Sequence, residues 1–356
     1  MLRFPSLSLI VLLLGPAALA ADPAPAAAPT PPPPPKWYDT FEVHGLVDAS
    51  FSSNLSQAQT DGNLLRAFDG ANGFQIVYAK LTAQASFFHL DLGFGPTAGV
   101  LNFKPASAGP PAISDVTVQQ AYATVKLGDV VVDAGKVVTN TGAEVIEAKD
   151  NWLYSRSLLF SWAIPLTHTG LRATIPIGGV EGLSLMASLF NGFDNPPKPV
   201  SALKMGHLAL MYSGPSGTTV TLNALYGRDP GATDDRLLLD AVLARSFGDL
   251  SVNLNGDYGK VGGKSYYGVA LMARYSLIGD KLRVTARGEY LGDPNGLAIG
   301  LGDVKVLEGT LGLSVPVGSN VELRAEGRYD HADQAIFKAG ASQGQATVQF
   351  AALAWF

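Results

Sequence analysis

The chain has 356 residues, of which 47% are hydrophobic and 15% charged, and it includes 40 glycines; an ordinary soluble domain carries about 25% charged residues, so charge is scarce for a water-facing surface. The net charge of -5 excludes a nucleic-acid binder, because a phosphate-tracking surface needs a basic excess. The absence of cysteine excludes a disulfide framework, a thiolate nucleophile and a Cys-based metal site.

At the amino end, Arg3 precedes the apolar run Leu7–Leu14, which is followed by Gly15, Pro16 and the small-residue stretch Ala18-Leu19-Ala20. This pattern predicts a secretory signal peptide over residues 1–20. The run is too short to serve as an anchor across roughly 30 Å of hydrocarbon. Residues 21–36 form a Pro/Ala-rich tract with no side chains for a core, read as an extended periplasmic spacer. The folded part is then 37–356.

Beyond the spacer, apolar and polar residues alternate with period two. In 41–51, Phe41, Val43, Val47 and Phe51 alternate with Glu42, His44, Asp48 and Ser50; segments 281–291 and 320–330 behave in the same way. In chain order the pattern predicts sixteen strands, near 41–51, 73–84, 86–95, 116–127, 129–138, 166–177, 181–191, 203–213, 217–228, 235–247, 249–260, 264–277, 281–291, 304–317, 320–330 and 343–356. Short turns such as Gly128-Asp129, Gly178-Gly179, Gly248-Asp249, 278–280 and 318–320 take turns with mostly longer connections. An even strand count with short turns at one end and long loops at the other predicts an all-β fold, a transmembrane antiparallel up-and-down β-barrel of the bacterial outer membrane. A soluble β-sandwich would hide its apolar face between sheets and has no need of that alternation.

In the last strand, Val348, Phe350, Ala352, Ala354 and Phe356 share one face, while Gln345, Thr347, Gln349 and Trp355 share the other. If this strand pairs with the first, Phe356 lies at a membrane interface, where an aromatic ring is well placed. The stretch resembles the carboxy-terminal assembly signal that the barrel-insertion machinery reads. Tyr226, Tyr258, Tyr275, Tyr290 and Tyr329, near strand ends, fit aromatic girdles facing lipid.

The stretch 135–173 contains GK followed by T-x-x-G-A-E-V-I-E, then N-W-x-Y-S-R-S and H-T-G-x-R. In this combination it resembles the β-barrel porin family similar to outer-membrane protein L. The resemblance implies a Gram-negative outer-membrane porin and names no solute.

A barrel of about sixteen strands leaves an aqueous bore, so function depends on what narrows it. The connection 139–164 is the third and longest loop, and by position it resembles the third loop of general porins, which folds inward as an eyelet. It carries Glu144, Glu147, Lys149, Asp150 and Arg156 as candidate constriction charges. Opposed charges in a narrow, low-dielectric passage orient polar solutes and favour one sign of ion. A solvated outer loop held by local ion pairs is the alternative. Arg172, Lys281, Arg283, Arg287, Arg324 and Arg328 are the expected lumen wall, because on the lipid face each would cost roughly 2–4 kcal/mol at mid-membrane.

Enzymatic readings find little support. The histidines 44, 89, 168, 207 and 331 accompany no nucleophile motif, and His168, placed with Arg172 on the lumen side, suits a structural hydrogen bond. Asp229, Asp234 and Asp235 form an acidic turn that reads as plain surface. The expectation is therefore a passive channel for small hydrophilic solutes with no cofactor or metal, in contact with outer-membrane lipid and the insertion machinery, and open to assembly as a homo-oligomer. A non-conducting structural or adhesive barrel is the competing class.

Overall fold

The computed structural model describes residues 36–56, 62–70, 72–102, 115–194 and 204–356. The expected signal peptide and nearly all of the spacer lie outside the described residues. Residues 37–356 form one compact unit.

Sixteen strands follow one another as β1 (Glu42–Asn54), β2 (Gly73–Ala85), β3 (Phe88–Phe94), β4 (Val116–Leu127), β5 (Val130–Val138), β6 (Thr167–Pro176), β7 (Leu183–Phe190) and β8 (Met205–Ser213). They continue as β9 (Thr219–Gly227), β10 (Arg236–Phe247), β11 (Leu250–Val261), β12 (Lys264–Leu277), β13 (Leu282–Asp293), β14 (Val304–Val317), β15 (Val321–Ala332) and β16 (Gly344–Trp355). Each matches a predicted run, with ends displaced by no more than three residues. Every strand pairs antiparallel with its chain neighbour, and β1 pairs with β16 to close the barrel. The short helix α1 (Pro96–Leu101) packs in the connection after β3.

The faces separate as the alternation dictates. On β14, Leu307, Leu311, Leu313 and Val315 are exposed on the outer wall, whereas Glu308, Thr310 and Ser314 are buried on the inner one. On β16, Phe350 is exposed outward, and Gln345, Thr347 and Gln349 are buried inward. With the apolar set outside, lipid can cover the wall while the backbone groups satisfy one another around the ring. Tyr226, Tyr258, Tyr275 and Tyr329 are among the exposed outward aromatics.

Short turns gather at one end and longer connections at the other, with one departure: β11 and β12 are joined at the long-loop end by Gly262 and Gly263 alone. At the closing seam Gly45 donates its N–H to the Phe356 carbonyl at 3.2 Å, and Phe356 donates back at 3.0 Å. The Phe356 ring lies over Gly45 so closely that a Cβ there would overlap a ring carbon. Glycine lets the ring lie this close, and the ring remains on the outer wall, 68% exposed.

Candidate functional site

The inner wall of β15 carries Glu322, Arg324, Glu326, Arg328 and Asp330 in one inward row, and β13 adds Arg283, Thr285, Arg287 and Glu289. These positions alternate with the exposed outward Leu323, Tyr329 and their neighbours, so period two aims every charge inward.

The connection between β5 and β6 lies along this row. Arg324 donates to the carbonyls of Ala148 at 2.8 Å and Leu153 at 3.1 Å. Glu326 accepts the N–H groups of Tyr154 at 2.8 Å and Ser155 at 3.2 Å. Arg328 donates to the Arg156 carbonyl at 2.7 Å, and Glu289 accepts the N–H groups of Leu158 and Leu159, each at 2.6 Å. Wall side chains thus replace the partners that this irregular backbone lacks within itself, as burial requires. The fit is close in volume too. A Cβ on inner-wall Gly312 would meet Leu153 at 2.5 Å, and one on Gly268 would meet Leu159 at 2.5 Å.

The same connection also reaches the wall elsewhere. Its first residues meet β9, where Asn223 donates to the Asn140 carbonyl at 3.1 Å. Glu147 pairs with Lys80 of β2 and accepts from Gln119 of β4 at 2.8 Å. The Tyr154 hydroxyl donates to Asp48 of β1 at 3.0 Å. Burial, reinforced by the Asp48 charge, pushes that hydroxyl well above its ordinary range and keeps it a neutral donor. Leu158, Leu159, Phe160 and Ile164 join Leu65 and Phe68 of the first long loop in one apolar cluster with Val304 and Phe337. Phe68 and Phe160 pack with their rings tilted by 39° and centroids 5.6 Å apart.

The predicted charges therefore occupy different situations. Glu144 is buried against Arg287 at 2.9 Å. Arg156 is buried within the loop, donating to the carbonyls of Tyr154 and Ile146. Lys149 and Asp150 pair with each other at 2.8 Å, and only they keep substantial exposure, 29% and 51% of their side chains.

Among the wall residues, Arg287 is held by Glu144 and by Glu308 at 3.0 Å. Arg324 and Arg328 pair with Glu322 and Asp330, and Arg283 reaches Glu322 at 3.3 Å. Arg172 pairs with Asp133 at 2.8 Å across β5 and β6. Lys281 is a correction. It sits exposed in the turn after β12, one residue before β13 begins, where the alternation of the sequence runs on past the end of the sheet.

His168 is buried with Nε2 3.1 Å from the Thr139 hydroxyl, a structural contact as expected. Asp229 and Asp235 pair with Arg236 and Arg228. No group of three His, Asp or Glu able to hold a metal is found among the described residues. The partners that sequence reasoning missed, Lys80, Gln119, Asp48 and Glu308, all lie at inward strand positions. Parity marks that face, but not which loop atom each side chain meets.

A closed barrel of sixteen antiparallel strands with an apolar outer wall and a charged inner one is the architecture of an outer-membrane porin. The chain belongs to the family described as "Putative beta-barrel porin-2, OmpL-like", whose profile matches residues 40–356. Several solved structures share the fold. OmpF of Salmonella typhi, in complex with daunomycin, superposes with a TM-score of 0.62 at 12% identity, covering 89% of this chain and 97% of that one. The outer-membrane channel DcaP of Acinetobacter baumannii gives 0.60 at 11% identity over 89% and 97%. The trimer form of OmpT, an outer-membrane protein of Vibrio cholerae, gives 0.58 at 13% identity over 89% and 99%. A comparison with curated protein sequences finds no match.

Proposed function

We propose that this porin is a passive diffusion channel for small hydrophilic solutes and ions, and that the connection between β5 and β6 is its constriction. One observation carries the reading: this connection leaves the barrel rim and takes its hydrogen bonds from inward side chains of β1, β2, β4, β9, β13 and β15. A loop so placed narrows the bore, and the exposed Lys149 and Asp150 are the charges that passing ions meet. At an effective dielectric near 20 a unit charge 4 Å away is worth about 4 kcal/mol, fading beyond a Debye length of about 8 Å. Neutralising Asp150 should therefore shift the reversal potential in a salt gradient toward anions, most strongly in dilute salt, and by far more than neutralising Asp234 and Asp235.

The apolar cluster between the first and third long loops favours a second reading, a barrel too well filled to conduct. Planar bilayers separate the two. Stepwise conductance from the purified, folded protein supports the channel; silent bilayers with an intact barrel support the structural class.

Removal of residues 1–20 and recognition of Phe356 by the insertion machinery belong to the same proposal. Phe356→Asp should lower barrel levels in the outer membrane without impairing export, and undiminished levels would remove that role. Assembly as a homo-oligomer is proposed for the sector of short strands. There β3 spans seven residues and β7 eight, against fourteen for β12 and β14, so the wall is lowest where a second copy would cover it.

A further inference from the structure

Asp240 of β10 and Asp257 of β11 are register partners, and both are buried on the inner wall. Their surroundings are unequal. Asp240 accepts from Asn223 Nδ2 at 2.6 Å and from Asn255 Nδ2 at 2.7 Å, and lies beside the Gly142 backbone amide at the start of the loop. Asp257 receives no donated hydrogen bond on either oxygen.

Among the described residues no lysine, arginine or histidine forms an ion pair with either carboxylate. The groups facing it are His207 of β8, committed to Asn223 at 2.9 Å, and Tyr266 of β12, whose hydroxyl is committed to the Ala163 carbonyl. From β13 comes Glu289, a third acid, which holds the Leu158 and Leu159 N–H groups. The arginine nearest to Glu289 on that strand, Arg287, is already shared between Glu144 and Glu308. No three metal-binding side chains converge among the described residues. Two adjacent buried carboxylates, one saturated with donors and the other with none, satisfy each other when a single proton lies between them.

We propose that Asp257 is a protonated acid donating to Asp240, and that this shared proton holds the loop against β10–β13. The proton is retained in the docked arrangement and lost when the loop lifts. The docked state then binds more protons than the undocked one, so docking weakens as pH rises. Loss of the proton leaves two like charges beside Glu289 and beneath Gly142, the points from which the loop is held. As a control of conduction this rests on the channel reading above; as a loop-holding device it does not.

The experiment uses the folded full-length barrel in detergent and needs no channel activity. Infrared spectra recorded from pH 5 to pH 10 should show, beside the buried Asp194 carboxyl that titrates near 7, a second protonated-carboxyl C=O stretch that persists at neutral pH and is absent in Asp257→Asn. Hydrogen exchange, corrected for the intrinsic pH dependence, should show the Gly142, Leu158 and Leu159 amides opening about tenfold more often per pH unit above the transition. In Asp257→Asn, whose amide donates to Asp240 without a titrating proton, that dependence should vanish. Absence of the band from the wild-type protein overturns the proposal, even if the variant does not fold. An exchange profile shared by both proteins overturns it too, and protection that follows added calcium rather than pH would assign a metal instead. Bilayer currents, recorded separately, test only whether loop release changes conductance.

Discussion

The loop meets two inner-wall regions of opposite electrical character. Along β13–β15, Glu308 and Asp330 each lie against an arginine, and the arginines in turn donate to loop carbonyls. Along β10–β11, Asp240 accepts from two side-chain amides and lies beside Asp257, and no lysine or arginine among the described residues pairs with either. A balanced ladder keeps its charges over a wide pH range because each charged form stabilises its partner. An unbalanced pair depends on a proton. The same loop is thus fixed firmly at its middle and conditionally where it begins and turns back, and this contrast can be tested from either region.

The largest effect should come from breaking the ladder at Arg287. Arg287→Ala leaves Glu144 buried without its cation, leaves Glu308 with Arg328 alone at 3.6 Å, and strips the Ser155 carbonyl of its donor. Removing one partner of a buried pair costs about 3–5 kcal/mol, so the unfolding midpoint in denaturant should fall sharply. A loss below about 1 kcal/mol, the scale of exposed pairs, would show that the ladder does not hold the loop.

Arg324→Met keeps the apolar stem and removes the donations to Ala148 and Leu153. Hydrogen bonds to a charged group contribute about 1.5–3 kcal/mol. Amides across 148–155 should exchange faster while those of β15 stay protected, and equal acceleration of both would mean that the variant loosens the sheet instead.

On the other region, Asn223→Ala deprives Asp240 of one donor and the Asn140 carbonyl of another. The bond to the Asn140 carbonyl contributes about 1 kcal/mol and the one to the charged Asp240 about 1.5–3 kcal/mol, against two such charged bonds lost in Arg324→Met. The midpoint should shift less than for either arginine variant, and a larger shift would invert the ranking of the two regions.

The last effect concerns where the loop ends. Asp194 accepts the Leu166 N–H at 2.6 Å and the Thr167 N–H at 3.3 Å, and burial pushes its carboxyl up from 3.8 to about 7. A raised carboxyl binds its proton more tightly when folded, so its stabilising contribution is complete at acid pH and is lost as pH climbs to about 7. Asp194→Asn keeps the accepting oxygen without the charge. Its unfolding midpoint should lose that part of the pH dependence, and a midpoint profile identical to the wild type would assign the slope to other groups.

Much of this fold was legible because a strand in a lipid-facing wall must alternate, and that constraint is written at every second residue. The runs 116–127, 264–277 and 304–317 coincide with their strands for this reason. The inward direction of Arg287, Arg324 and Arg328 was legible on the same grounds. Their partners were not, since Ser155 and Arg287 are joined by a backbone path that no periodicity describes. Lys281 shows the converse error, in which parity was trusted past a turn. The sequence presents the loop charges as one group facing the bore, yet burial divides them. Glu144 and Arg156 are enclosed, and Lys149 with Asp150 stays in the open.

The seam at Gly45 and Phe356 also bears on how the molecule is made. Its register joins Phe51 to Phe350, residues from opposite ends of the barrel sequence, whereas every other strand pairs with its immediate neighbour. Fifteen hairpin contacts can form locally, but this last one must bring together segments separated by the entire sheet, and such non-local pairing is the slow step of β folding. Until it forms, β1 and β16 are open edges, prone to pair with another chain and costly in hydrocarbon. A ring resting on a glycine is therefore the mark of a completed circle, and the vulnerable species in this protein's biogenesis is the sheet that has formed every pair except that one.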